Sequence, residues 1–194
     1  MRNPTHKTLL NVLATAASFL LLTAFFMLTG AVFAKDDGGS TAKTGLMADD
    51  VKFLNAAAQG GMAEVDLGHL AIKMASSSEV KAFGQRMIDD HSKANERLKA
   101  LAISKAFELP VGMNAEQKKM RDKLAALSAA DFDREYMKHM AEDHKKDVAE
   151  FQAESVDAKD PDIKEFASST LPTLEEHLKL AQDLAAKAAG MASK

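Results

Sequence analysis

Cysteine is absent from this chain. Disulfide staples, thiolate catalysis and thiolate metal ligation are therefore excluded, and the fold must hold by packing alone. Tryptophan is also missing and tyrosine occurs once, at Tyr136, which argues against an aromatic binding platform. Basic residues are not in excess: 25 Lys+Arg stand against 28 Asp+Glu, a formal charge of −3. A nucleic-acid partner would favour a basic face, so that class is set aside. No glycine-rich phosphate loop occurs, and no Ser/His/Asp set accompanies the strand-to-helix elbow of a hydrolase. Alternating ten-residue strands, the mark of a membrane β-barrel, are missing as well.

What is present begins with one long apolar run. Arg2 and Lys7 form a basic start, no charge follows from Thr8 to Ala34, and the run closes on Val32-Phe33-Ala34. Small residues at the outer positions of that ending fit signal-peptidase cleavage before Lys35. A retained membrane anchor is the alternative, because the run is long enough to cross a bilayer. The small-residue ending and the abrupt switch to Lys35-Asp36-Asp37-Gly38-Gly39 favour cleavage, and with it export to the periplasm. Losing residues 1–34 removes two basic groups, leaving 23 Lys+Arg against 28 Asp+Glu and a charge of −5. Residues 35–47 are polar, Gly-rich and without periodicity, and read as a flexible tether. Residues 48–190 suit one domain with a sizeable core.

Alanine, leucine and lysine dominate that domain, and a 3.6-residue rhythm predicts helices throughout. The first long helix is expected over about residues 49–75, capped by Asp49, with Phe53, Ala57, Gly60, Glu64, Leu67, Gly68, Ala71 and Met74 inward. Its glycines cost about 1 kcal/mol each relative to alanine, a cost best explained by close approach of a neighbouring helix. A capping box from Ser76 to Glu79 opens the second helix, with Val80, Phe83, Gly84, Met87, His91, Ala94, Leu98 and Leu101 inward. A break at Leu109-Pro110-Val111-Gly112 precedes a short helix opened by Asn114 and Gln117. Ser128 with Asp131 opens the third long helix, whose stripe is Phe132, Tyr136, Met140, His144, Val148 and Phe151. Asp160-Pro161 starts the fourth, with Ile163, Phe166, Ala167, Thr170, Leu174, His177, Ala181 and Leu184 inward. Pro172 should kink this helix or delay its regular start.

Connection lengths then set the topology. Few residues separate the first and second long helices, or the third and fourth, so each pair is an antiparallel hairpin. The stretch 107–127 is long enough to carry the chain back along the bundle. Two hairpins joined by one long crossover make a ferritin-like four-helix bundle, an all-α fold. A faint repeat, Val80-Lys81-Ala82-Phe83 against Ile163-Lys164-Glu165-Phe166, suits two similar hairpins.

Four polar residues interrupt the inward stripes, one per long helix: Glu64, His91, His144 and His177. Burying an unpaired polar group costs about 1–3 kcal/mol, so such a ring needs partners. Two candidates stand: a bound metal ion, or a hydrogen-bond network that fixes helix register and binds nothing. Imidazole and carboxylate ligands suit zinc, iron, manganese or copper without selecting among them. Helical rise places Glu64 and His91 about 16 and 20 Å from their shared turn, a fair match. His144 and His177 lie about 16 and 24 Å from theirs, so His177 fits the common level least. Each histidine follows an acid directly (Asp90, Asp143, Glu176), which sits about 100° round the helix at the stripe's edge. A di-iron oxygen-activating centre would need Glu-x-x-His motifs, and none occurs; Asp66-x-x-His69 has that spacing but faces away from the stripe. Met74, Met87, Met137 and Met140 could add soft copper ligands, although methionine in such stripes is more often core filler. Mixed-sign runs such as His144-Lys145-Lys146-Asp147 read as solvated helix surface.

From Phe53 to about Ala186 the chain resembles the bacterial domain-of-unknown-function family 4142. The resemblance rests on Phe53-Leu54-x-x-Ala57-x-x-Gly60-x-x-x-Glu64-x-x-Leu67-Gly68, Val80-Lys81-x-Phe83 and Met87-x-x-Asp90-His91. It continues in Phe132-Asp133-x-x-Tyr136, His144 and Leu171-Pro172-x-Leu174-x-x-His177-Leu178. The resemblance implies a ferritin-like fold and export, and many members carry the label of outer-membrane protein, but it implies no established reaction. Any outer-membrane link would be peripheral, and other envelope proteins are the partners to expect. A binding or structural role is favoured over catalysis.

Overall fold

A computed structural model describes residues 45–192. The expected leader and most of the expected tether lie outside the described residues. Five helices follow in order: α1 Ala48–Met74, α2 Ser78–Ser104, α3 Ala115–Ala125, α4 Ala129–Asp157 and α5 Pro161–Ala192. The four long ones form two hairpins, α1 on α2 and α4 on α5, and the hairpins pack through α2 on α5 and α1 on α4. The short α3 lies in the crossover and touches α1 and α4. This is the all-α bundle that the connection lengths imply. Among the described residues, no helix is long and apolar enough to cross a membrane.

Each helix end has a local cause, and several differ in detail from expectation. Met47, not Asp49, stands at the α1 N-cap, and its N–H donates to the Asp50 carboxylate at 3.3 Å. The expected Ser76–Glu79 box does not form. Ser77 caps α2, accepting from the N–H groups of Glu79 and Val80, because Ser76 is taken by a partner from the other hairpin. That partner is Asp133, whose buried carboxylate accepts from Ser76 N–H at 3.0 Å, from Ser77 N–H at 2.8 Å and from the Ser76 hydroxyl. Three orphan donors of the turn are thereby satisfied by one side chain. Asn114 and Gln117 do form their reciprocal box on α3. Asp160 caps α5 through Asp162 and Ile163 N–H, and α5 runs from Pro161 through Pro172, so that proline does not delay the start. Lys105, at the end of α2, pairs with Asp160 at 2.7 Å and Asp162 at 2.6 Å, tying the hairpins together at that end.

Glycine permits the closest helix approach, where α1 crosses α2. A Cβ on Gly68 would lie 2.6 Å from the Gly84 carbonyl oxygen, and one on Gly84 would lie 2.8 Å from the Ala71 Cβ and 2.9 Å from the Gly68 carbonyl. Neither neighbour is a flexible side-chain tip, so the helices themselves would have to part. Gly84→Ala should therefore lose about 1–2 kcal/mol, overpacking outweighing the gain in helix propensity. In thermal unfolding that is a fall of about 2–8 °C. Gly60→Ala, where a Cβ would meet nothing within 4 Å, should show no such fall.

The core is not continuous. One apolar cluster gathers Leu67, Ala71, Phe83, Met87, Phe132, Tyr136 and Met140 with their neighbours; a second gathers Phe53, Leu54, Leu98, Phe151, Ile163 and Phe166. On every long helix the interruption falls at one residue: Glu64, His91, His144 or His177, all buried. A polar layer thus divides the interior in two.

Candidate metal centre

Within this layer the three imidazoles come together from three helices. Ring centroids lie 5.7 Å apart for His91 and His144, 5.3 Å for His91 and His177, and 5.3 Å for His144 and His177. One nitrogen from each ring lies within 4.8 Å of the other two. His144 and His177 are fully buried and His91 is 7% exposed. The Phe83 ring stands edge-on to His144 and His177 at 6.4 and 6.5 Å, closing the cluster on the side of the first apolar cluster.

Outer hydrogen bonds orient two of the rings. His144 Nδ1 lies 3.0 Å from the Met140 carbonyl, which can only accept, so this nitrogen carries the proton and Nε2 is left with its lone pair. His177 Nε2 lies 3.0 Å from an Asp90 carboxylate oxygen, which leaves Nδ1 free. Imidazoles that bind metals are typically fixed in this way by a carbonyl or carboxylate on the opposite nitrogen. Of the nitrogens that remain, His91 Nε2, His144 Nε2 and His177 Nδ1 are buried and have no hydrogen-bond partner. Both Glu64 oxygens are in the same condition. Glu64 Oε1 is 3.8 Å from His144 Nδ1, too far for a hydrogen bond.

The electrostatics follow from burial. Desolvation lowers all three imidazoles, with mutual repulsion adding for His91 and His144; His144 falls to about 3. They are neutral at pH 7, the form that ligates. Burial raises the Glu64 carboxyl well above its usual range, and nearby Asp143 and Asp147 push it further. Asp147 itself is pushed up to about 8, by burial first and then by Asp143 and Glu150. Partial burial opposes ionisation of Asp90, but the His177 hydrogen bond and Arg86 outweigh it and hold its carboxyl low.

All four expected residues therefore meet in one layer, with a reordering. His177, whose height fitted least, belongs to the tight trio, because α4 extends to Asp157 and lengthens its arm of the hairpin. Glu64 stands beside the trio and groups instead with His144 and Asp147. Asp147 is the residue missed: within a run read as solvated surface, Lys145 and Lys146 are exposed while Asp147 turns inward, one turn beyond His144. The acids before the histidines diverge. Asp90 serves His177 on another helix, Asp143 pairs with Lys146 at 3.9 Å, and Glu176 meets Arg86 at the surface. Asp66 is engaged by Arg121 at 3.1 Å and His69 is exposed, so that pair stays outside the layer. Met87, Met137 and Met140 are fully buried within the first apolar cluster, as filler would be.

A helical bundle of two hairpins around a polar layer is the class these features define. The chain matches the family described as Domain of unknown function (DUF4142) over residues 36–184, and it belongs to that family. Among solved structures it is similar to a DUF305 fragment from Deinococcus radiodurans, with a TM-score of 0.64 and 14% identity over 73% of this chain and 98% of that one. It is also similar to CopM in the Cu(II)-bound form, with a TM-score of 0.61 and 18% identity over 71% of this chain and 96% of that one. CopM in an Ag-bound form gives 0.57 and 18% over 69% and 93%. At these identities the likeness is one of fold. Comparison with curated proteins gave no match.

Proposed function

We propose that this protein is exported to the periplasm and there holds one transition-metal ion, copper foremost, between His91, His144 and His177. The observation that carries this reading is the set of three buried, neutral imidazoles, each with one buried nitrogen that has no partner and each offering one nitrogen within 4.8 Å of the other two. Such atoms cost stability unless something fills them. A register-fixing network would satisfy them with bonds among the four residues, and those bonds are not made. Ions of this class sit about 2.0–2.1 Å from imidazole nitrogen, within reach of small side-chain rotations. Copper(II) stands highest among first-row divalent ions for nitrogen sites, and CopM, of similar fold, carries Cu(II) or Ag in its structures. Glu64, beside the trio, would give up its proton as the ion binds and so offset part of the ion's charge in a medium where an uncompensated charge is costly.

Elemental analysis of the mature protein isolated from the periplasm tests this. One equivalent of copper per chain is expected, lost in the His91→Ala/His144→Ala double variant. Trace metal in the wild type, or retention in the variant, defeats the proposal. Mass spectrometry of the same sample should find Lys35 at the amino terminus.

A further inference from the structure

We infer that the small cavity beside His91 is the passage by which the ion reaches the three imidazoles, with Glu150 and Asp147 as oxygen stations along it. The inference rests on the proposed metal site and adds its route of loading. The layer is otherwise closed: Glu64, His144 and His177 are at most 1% exposed, and Phe83 seals one side. On the opposite side lies a cavity of about 40 Å³ whose lining comes from all four long helices. It includes His91, whose Nε2 lacks a partner, and the polar groups of Asn95, Asp147, Glu150 and Thr170. One water needs about 10–15 Å³ and two or more polar neighbours, so this space can be wet.

Gly60 and Gly61 form the α1 wall. At Gly61 a Cβ would collide with the Asn95 amide oxygen at 2.0 Å, so that glycine makes room for a neighbour. At Gly60 a Cβ would meet nothing within 4 Å. Close helix packing does not account for Gly60. A thinned wall beside a polar cavity does, in a helix where glycine is otherwise unfavourable. Oxygen donors such as Glu150 and Asp147 hold a cation more weakly than imidazoles hold copper, which suits hand-on to a deeper site.

The test is stopped-flow loading of the metal-free mature protein with Cu(II), followed by the absorption of the imidazole-bound ion. Gly60→Leu should load at least 10-fold more slowly, with unchanged stoichiometry and unchanged affinity in chelator competition, since uptake and release slow together. Leucine also raises helix propensity at this position, so loss of fold is not the expected cause. Glu150→Gln should load several-fold more slowly. Gly112→Leu, in the crossover and likewise open to space, should load at the wild-type rate. Normal binding with wild-type rates in Gly60→Leu and Glu150→Gln overturns the passage alone. Absence of copper uptake by the wild type overturns the metal site, and the passage with it.

Discussion

His91→Leu should leave the metal-free protein within about 1 kcal/mol of the wild type, or above it, while removing all stabilisation by copper. The two halves of this result have separate causes. In the metal-free protein His91 is buried and neutral, and its Nε2 has no partner. An unsatisfied buried polar atom carries a penalty of about 1–3 kcal/mol, which an apolar side chain of similar size relieves. Imperfect repacking returns part of that gain, typically less than about 1.5 kcal/mol for shape-conserving changes. With copper present the comparison reverses. An ion at a free concentration 1,000 times its dissociation constant stabilises the native state by about 4.1 kcal/mol. For a domain of this size that is a rise of about 8–16 °C in melting temperature. With one of its three nitrogens gone, the variant should show none of it. A register-fixing network makes the opposite forecast, since removing one member would strand the others and lower stability without metal. Melting curves in chelator and in copper, for both proteins, separate the two. A chelated variant melting more than about 8 °C below the wild type would count against the metal reading.

The architecture was legible because it rests on periodicity and connection length, which are local quantities. None of the inward positions assigned from the 3.6-residue rhythm is exposed, from Phe53 on α1 to Leu184 on α5. Glu64, His91, His144 and His177 stood out for the same reason, as polar residues at apolar phases. What could not be read depends on contacts between helices. Asp90 lies 100° from His91 on its own helix, at the edge of the stripe, yet it faces His177 across the α2–α5 seam. Asp133 shares the inner side of α4 and captures Ser76 at the opposite hairpin's turn, displacing the expected capping box. Asp147 was hidden by two exposed lysines before it, although its spacing of three from His144 places it on a neighbouring face. The relative height of His177 turned on where α4 ends, and helix boundaries are the least certain feature of any periodic pattern.

Acid should destabilise the metal-free protein in two stages, shallow from about pH 6.5 to 4.5 and steep below about pH 4. The sign follows from which state binds the proton. The three imidazoles have native pKa values below the ordinary 6.5, so as pH falls below 6.5 the unfolded chain takes up protons that the native state refuses. Each such group costs about 1.4 kcal/mol per pH unit, and for His144 this continues down to about pH 3. Glu64 and Asp147 act in the other direction. Their native pKa values are raised, so the native state keeps protons that the unfolded chain releases above its ordinary 4.5 and 3.8. That contribution is complete below those values and is lost as pH rises through the native ones, which for Asp147 is about 8. Between pH 6.5 and 4.5 the buried carboxyls therefore oppose the imidazoles, and the net loss is smaller than the imidazoles alone would give. Below about pH 4 those carboxyls are protonated in both states and no longer oppose His144, which acts down to about pH 3, while the lowered Asp90 carboxyl adds its own loss. Urea unfolding across this range should trace that break. Glu64→Gln should steepen the upper stage, and His91→Leu should flatten it. Bound copper should obey the same asymmetry. Protons compete for a ligand nitrogen only near its native pKa, so the ion should stay bound as pH falls through 6.5. Release with a midpoint near the ordinary histidine value of 6.5 would place the ion on exposed side chains and not in the layer.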